Sequence, residues 1–199
     1  MDFFLLSTTG DLNDHSLCMV EDPPDGMGLQ DYRMSLGERA VLHYPENARI
    51  YLREENPGIK LAGILGNTKG YLLGSSKAKE IIEEHCRNSE IEYLPFDLYN
   101  HKKRLHSKDY FFINPIGGFD CLNEDASEIE YDPDGEVITI EEFVIDPKKL
   151  SNAPDLFRID KDPIEYIISK RLAEALRDGG VTNVGGHKLR IQAGKQAGR

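Results

Sequence analysis

The chain has 199 residues, with 24 Lys and Arg against 35 Asp and Glu, and a formal net charge of −11. Its hydrophobic fraction of 39%, with nine Tyr and eight Phe, suffices for a folded core in one ordinary domain or two small ones. The negative charge argues against nucleic acid and anionic membranes as partners, because both are negatively charged themselves.

The sequence predicts a cytoplasmic location. The three cysteines are an odd number without CxxC spacing, which is typical of reduced thiols. The apolar run after Met1 has no preceding Lys or Arg and is too short for a signal peptide. No run approaches the roughly 18 apolar residues that span a membrane.

Residues 1–70 are predicted to form a β-rich N-terminal region. The apolar residues 2–7 predict a first strand, and a loop rich in Gly, Pro and Asp follows. Residues 40–44 and 49–52 are two short β-like runs, and Asn56-Pro57-Gly58 closes the second with a turn.

Residues 71–192 are predicted to form an α+β domain that begins with a strand, a helix and a strand. Residues 71–74 are strand-like, and Ser75 or Ser76 is a suitable N-cap for a helix with an apolar stripe. Residues 91–96 predict the second strand, which is expected to end at its proline.

A similar unit is predicted near the C-terminus. A strand at 166–168 leads through Ser169 into a helix, which stops at Gly179-Gly180 before a short strand from Val181. Residues 193–199 are expected to form a flexible tail. The predicted fold class is therefore α+β, with a β-rich N-terminal part and two strand-helix-strand units around an acidic β-hairpin.

The acidic part is a window from Asp109 to Pro147 that contains no Lys or Arg but twelve carboxylates. Aromatic and β-branched residues alternate with the acidic ones, unlike in a disordered acidic tail. We therefore expect a rigid surface whose negative field attracts metal cations or a basic protein.

Within this window the sequence predicts a β-hairpin. Residues 128–131 and 136–140 flank Asp132-Pro133-Asp134-Gly135, which suits a type I turn. Strict alternation places the hairpin's side chains on two opposite faces: Ile129, Tyr131, Val137 and Thr139 on one, and Glu128, Glu130, Glu136 and Ile138 on the other.

Residues 130–141 offer an alternative function, because they match a twelve-residue calcium loop at positions 3, 5, 6 and 12. Against a calcium site, the first position is Glu130, Pro133 stiffens the middle, and the β-branched residues that follow do not favour an exiting helix. The hairpin is the preferred interpretation, and a calcium-binding module remains the alternative.

Sequence motifs of enzymes are missing. There is no GxSxG or CxxC, and the glycines of residues 63–70 lack the order of a phosphate-binding loop. His101 and His106 lie in the basic segment 101–108, which is a poor place to attract a metal cation and is expected to be a solvated loop against the acidic surface. We predict no catalytic residues and no cofactor; a small hydrolase is a distant third possibility.

The chain also resembles a family of bacterial immunity proteins from polymorphic and contact-dependent toxin systems, the one numbered eleven among such families. The similarity extends from about residue 71 to 191, and the opening strand is also similar. It is carried by seven short segments: Phe3-Phe4-Leu5-Leu6, Leu73-Gly74-Ser75-Ser76-Lys77, Tyr93-Leu94-Pro95-Phe96, Tyr110–Ile113, Phe119-Asp120-Cys121-Leu122, Asp155-Leu156-Phe157-Arg158 and Ile167–Leu172 with the following Gly-Gly.

This resemblance implies a cytosolic antidote that binds and neutralises an effector toxin, often a nuclease, encoded beside it. It implies core positions at Leu156 and Phe157 and a helix cap at Ser169. A basic nuclease surface is a natural target for an acidic protein, as the charge pattern independently indicates. The predicted partner-binding residues are Asp125, Glu128, Glu130, Asp132, Asp134 and Glu136, which steer the partner, and Tyr131, which anchors it.

Overall fold

The computed structural model describes residues 2–194, and within that range the protein is an α+β fold with a β-rich body, as predicted. It contains fourteen strands in this order: β1 Phe3–Leu6, β2 Met19–Val20, β3 Arg49–Tyr51, β4 Ile64–Asn67, β5 Leu73–Ser75, β6 Ile91–Tyr99, β7 Leu105–Pro115, β8 Glu128–Tyr131, β9 Val137–Glu142, β10 Val144–Ile145, β11 Leu156–Ile159, β12 Asp162–Ser169, β13 Gly186–Lys188 and β14 Arg190–Ile191. The helices are α1 Tyr32–Ser35, α2 Ser76–His85 and α3 Lys170–Asp178, with 3-10 turns at Gly28–Gln30 and Lys149–Asn152.

Two large sheets form the body. One has six strands in the order β2-β4-β5-β7-β6-β3, and the other has four in the order β11-β12-β1-β13. Strands from both sides of the boundary predicted at residue 70 pair within each sheet, as in Ile64 with Gly74 and Phe3 with Ser169. The chain is therefore hydrogen-bonded across this position in both sheets.

Each large sheet packs on both faces. In β12, Ile167 belongs to the hydrophobic cluster beneath the hairpin, whereas Tyr166 and Ile168 belong to the cluster that contains α2 and α3. In β7, Phe112 and Ile113 likewise enter two different clusters. Burial on both faces explains why these strands have continuous apolar runs rather than simple alternation.

The two strand-helix units begin with the same cap. The Ser75 Oγ accepts a hydrogen bond from the Ala78 amide at 3.3 Å, and the Ser169 Oγ accepts one from the Leu172 amide at 3.1 Å. Each serine has extended backbone angles, as an N-cap requires. Both predicted helix starts are confirmed.

The predicted end of the second unit needs a correction. Gly180 has φ of 80°, its amide bonds to the Arg177 carbonyl, and the Val181 amide bonds to the Leu176 carbonyl. This pair of bonds is the Schellman motif, so Val181 completes the helix end instead of starting a strand. The strand of this unit begins later, at Gly186.

The strand predicted at residues 40–44 is also wrong, because the structure has turns there. The Ala40 amide donates to the buried Glu92 carboxylate at 2.9 Å, and the His43 amide donates to the Ala40 carbonyl at 2.9 Å. These bonds use backbone donors that a strand would direct to a neighbouring strand.

Pro95 does not end its strand, contrary to prediction, since β6 continues to Tyr99. On the side of β6 away from β7, the neighbouring strand of the sheet is β3, which pairs with β6 only at residues 97–99. At Pro95 that side of β6 has no strand partner, so the missing amide hydrogen costs no ladder bond.

A buried arginine joins the N-terminal segment to both large sheets. Arg158 is fully buried, and its guanidinium donates to the carbonyls of Met34 and Ser35, each at 2.8 Å, and to Pro115 at 3.1 Å. Its Nη2 also donates to the Asn114 Oδ1 at 3.2 Å. Arg158 therefore fixes segments that are distant in sequence.

In residues 2–194, no helix is long and apolar enough to cross a membrane. The three cysteines are buried and unpaired with one another. Residues 195–199, most of the tail predicted to be flexible, lie outside the described range.

Candidate partner-binding surface

The acidic window folds into the predicted hairpin, with β8 and β9 antiparallel. The Asp132 amide donates to the Glu136 carbonyl at 2.9 Å, and the Gly135 amide donates to the Asp132 carbonyl at 3.0 Å. Gly135 has φ of 87°, a left-handed conformation that favours glycine. The turn chemistry read from the sequence is confirmed.

Asp132 has a structural role in this turn. Its Oδ1 accepts hydrogen bonds from the amides of Asp134 at 2.9 Å and Glu136 at 2.8 Å. Asp132 is half-buried, whereas Asp134 and Glu136 are exposed. The Asp132 carboxylate therefore holds the turn while it adds charge to the surface.

A shift in the strand pairing changes which residues face the core. Ile129 pairs with Ile140, Glu130 with Thr139, and Tyr131 with Val137, so one residue of β9 is skipped between the last two pairs. The shift buries Ile140 and leaves Thr139 exposed, contrary to the strict alternation predicted.

The skipped residue is Ile138, which has no cross-strand partner. Its side chain is 59% exposed, which makes it the most exposed large apolar residue of the hairpin. It lies next to Val137, which pairs with Tyr131, itself 41% exposed. The hairpin thus presents an apolar side chain among its carboxylates.

The other side of the hairpin is fixed to the protein. Ile129, Val137 and Ile140 pack with Ile167 of β12 and neighbouring residues in one hydrophobic cluster. A two-stranded hairpin is barely stable alone, and this packing supplies the missing burial. The hairpin is therefore anchored to the core by its apolar side.

Basic residues from elsewhere in the chain pair with three carboxylates of the acidic window. Three ion pairs do this: Lys149 with Asp120 at 2.6 Å, Lys161 with Glu124 at 3.4 Å, and Arg190 with Glu142 at 3.2 Å. All three cations lie outside the window that lacks Lys and Arg.

The six carboxylates predicted from the sequence to steer the partner have no such neutralisation. Within residues 2–194, no Lys, Arg or His nitrogen lies within 4.0 Å of their oxygens. Five of the six are exposed, and Asp132 is half-buried. The structure brings Glu128, Glu130, Asp132, Asp134 and Glu136 together on the hairpin and places Asp125 in the loop just before it.

Tyr131, the predicted anchor, is partly engaged within the chain. Its hydroxyl donates to the Glu124 Oε2 at 3.3 Å, and the Lys161 Nζ lies 5.9 Å from the centre of its ring. The remaining exposed part of the ring is what a partner could contact.

The calcium alternative requires Asp132, Asp134 and Glu141 to surround one ion. In the structure, β9 is extended from Val137 through Glu141, a rise of about 13 Å over four residues. Calcium ligands lie within about 2.6 Å of the ion, so the turn and Glu141 cannot share one in this conformation. The residues described here contain no cluster of three or more His, Cys, Asp or Glu suited to a metal ion.

The basic segment 101–108 is predicted to lie against the acidic surface, but its observed contacts are with residues 53–59 and with β6. It forms the turn between β6 and β7 and the first residues of β7. The His101 Nε2 contacts the carbonyl oxygens of Arg53 at 3.1 Å and Asn56 at 2.8 Å, and Lys108 pairs with Asp97. These contacts tie the segment to the six-stranded sheet instead of the acidic surface.

Comparison with protein families extends the resemblance noted in the sequence. The model of the immunity protein family Imm11 matches residues 2–190, which includes the N-terminal region as well as the part from residue 71. The chain belongs to the Imm11 immunity protein family. No curated protein matches this Imm11 chain.

Membership of Imm11 implies that the chain acts as an immunity protein against a toxin, a role that is not catalytic. The positions implied by the resemblance fit the structure. Leu156 and Phe157 are buried, and Ser169 caps α3. These three residues stabilise the fold.

Sequence reasoning missed one residue of this Imm11 surface. Alternation places Ile138 on the acidic face, yet it was not among the predicted site residues. The sequence signal that could have identified Ile138 is an isoleucine between Glu136 and Glu141 in a strand whose outer face is otherwise polar. Its lack of a cross-strand partner results from the irregular pairing, which the sequence pattern does not reveal.

Proposed function

We propose that this Imm11 protein neutralises its cognate toxin in the cytoplasm by placing the acidic hairpin on a basic surface of the toxin. The observation that carries this proposal is the distribution of ion pairs. Three other carboxylates of the acidic window, Asp120, Glu124 and Glu142, have cation partners within the chain, whereas the six predicted to steer the partner have none among the described residues.

This distribution matters for the electrostatic energy of binding. A carboxylate that already has a cation partner contributes little to the field at a distance, because the two charges cancel. Unpaired carboxylates on a rigid surface add their fields, which accelerates encounter with a cationic protein. The field is strongest at low ionic strength, because the Debye length falls to about 8 Å at physiological salt.

A nuclease is the toxin class that best fits this surface. Nucleases bind phosphates through clusters of Lys and Arg, so their substrate surface is strongly positive. An acidic hairpin can occupy that surface in place of nucleic acid. The protein then acts by steric and electrostatic blocking and needs neither a catalytic residue nor a cofactor.

The test uses the effector encoded beside the gene of this chain, with association and dissociation rates measured at several salt concentrations. We expect nanomolar or tighter binding and an association rate that falls as salt rises. The Glu128→Lys, Glu130→Lys and Asp134→Lys triple variant is expected to associate at least tenfold more slowly.

A matched control is the Glu46→Lys, Glu80→Lys and Glu84→Lys triple variant. It changes the net charge equally at three exposed positions outside the hairpin. We expect a much smaller change in its association rate. Equal slowing of the two triple variants would reduce the effect to net charge and contradict the proposed surface.

A further inference from the structure

We infer that Ile138 is the apolar anchor of this interface and that the toxin surface carries an apolar recess surrounded by Lys and Arg. This inference rests on the proposed function and concerns the same hairpin. It divides the surface into two roles, with the carboxylates controlling association and Ile138 controlling dissociation.

The first support is the position of Ile138 in the strand. The pairing shift leaves it without a cross-strand neighbour, and its side chain remains 59% exposed. Bulges redirect side chains at functional edges, and they disrupt the ladder locally. The same shift brings Ile140 into the core, so the exposure of Ile138 is coupled to the packing that holds the hairpin.

The second support is what surrounds this side chain. The exposed carboxylates Glu130, Asp134 and Glu136 come from the turn and the facing strand, and exposed Tyr131 is paired with the residue next to Ile138. Strong protein interfaces have an apolar or aromatic centre and a polar rim. Among the large exposed apolar residues in the described range, only Tyr131 and Ile138 lie on this hairpin.

The partner chemistry follows from both features. A purely polar cationic surface would leave Ile138 in contact with charged groups and gain nothing from it. A recess lined by apolar atoms, with Lys or Arg at its edge, buries the isoleucine and pairs the carboxylates with cations at the same time. Burying an isoleucine favours binding by a factor on the order of 10 to 100.

The test measures binding of the full-length Ile138→Thr variant to the effector encoded beside this gene. Threonine favours strands and keeps the branched shape, so the hairpin is expected to remain folded. We expect dissociation to become about tenfold faster while the association rate stays within twofold of wild type. The matched control is Leu42→Thr, at a leucine that is 87% exposed and lies outside the hairpin.

A second readout covers the case in which the variant is unstable. A photoreactive p-benzoylphenylalanine at position 138 is expected to cross-link to the effector, whereas one at position 42 is not. If wild type binds but Ile138→Thr dissociates no faster and position 138 gives no cross-link, the anchor is overturned while the proposed function stands. If wild type does not bind the effector, the proposed function itself fails.

Discussion

The Asp132 carboxylate accepts a hydrogen bond from the Glu136 amide at 2.8 Å, and the Asp134 amide donates to the same oxygen at 2.9 Å. One acidic side chain thereby fixes the turn that presents its neighbours. The charge of the surface and the shape of the surface therefore depend partly on the same residue.

Asparagine and alanine at position 132 should separate these two roles. Asp132→Asn retains an oxygen that can accept both amides, so we expect stability close to wild type. Asp132→Ala leaves both amides without this acceptor and is expected to lower the free energy of unfolding by about 1 kcal/mol. Urea denaturation measures the difference, and equal losses in the two variants would contradict the structural role.

The second prediction compares the two helix caps. Ser75→Ala is expected to cost about 1 kcal/mol, the usual value for an N-cap. Ser169→Ala is expected to cost about 2 kcal/mol, because the Ser169 Oγ also donates to the Asp155 Oδ1 at 2.5 Å. Asp155 is 6% exposed, so water replaces that donor poorly. Chemical denaturation of both variants checks the ranking.

The same site predicts a dependence on pH. Burial raises the pKa of Asp155, but hydrogen bonds from Arg171 and Ser169 outweigh it and leave the pKa below the ordinary value of 3.8. Because the folded pKa is lowered, the resulting stability is present above the unfolded pKa and is lost as pH falls. Ser169→Ala should therefore lose less stability than wild type on acidification below about pH 4.

The third prediction concerns Arg158, whose guanidinium joins Met34, Ser35 and Pro115. Arg158→Met preserves much of the side-chain volume but leaves buried carbonyls without donors. We expect a loss of about 3 kcal/mol or more, measured by thermal and urea unfolding. Arg158→Lys keeps a positive charge but lacks the planar guanidinium group, so we expect its stability to lie between those of Arg158→Met and wild type. Wild-type stability in Arg158→Met would show that these bonds contribute little.

The fourth prediction concerns Glu165, whose pKa in the folded protein is raised, whereas that of Asp155 is lowered. Burial raises the pKa of Glu165, and the nearby charge of Asp162 raises it further. A raised folded pKa contributes stability below the unfolded pKa of about 4.5, and that stability is lost as pH rises through the folded value. Glu165→Gln should therefore raise the melting temperature at pH 7 and leave it nearly unchanged at pH 4.

The matched control for this prediction is Glu80→Gln, which changes an exposed carboxylate on α2 by the same chemistry. It should alter the melting temperature little at either pH. A gain in Glu80→Gln equal to that in Glu165→Gln would indicate an effect of net charge instead of local burial.

Local sequence signals were reliable where neighbouring residues provide the interactions. The caps at Ser75 and Ser169 and the turn from Asp132 to Gly135 depend on donors and acceptors a few residues apart. Local sequence signals gave wrong predictions where the local structure depends on residues that are distant in the sequence. The Ala40 amide bonds to Glu92, and Pro95 is tolerated because β3 covers only part of β6.

The sequence alone determined the hairpin, its acidic composition and the family resemblance, because these depend on turn chemistry, residue identity and order. Only the tertiary structure decided which carboxylates remain without cation partners. Lys149, Lys161 and Arg190 come from outside the acidic window and pair with Asp120, Glu124 and Glu142 inside it. The tertiary structure also decided that Ile140 is buried and Thr139 exposed, since a one-residue shift in pairing changes the face of each later side chain.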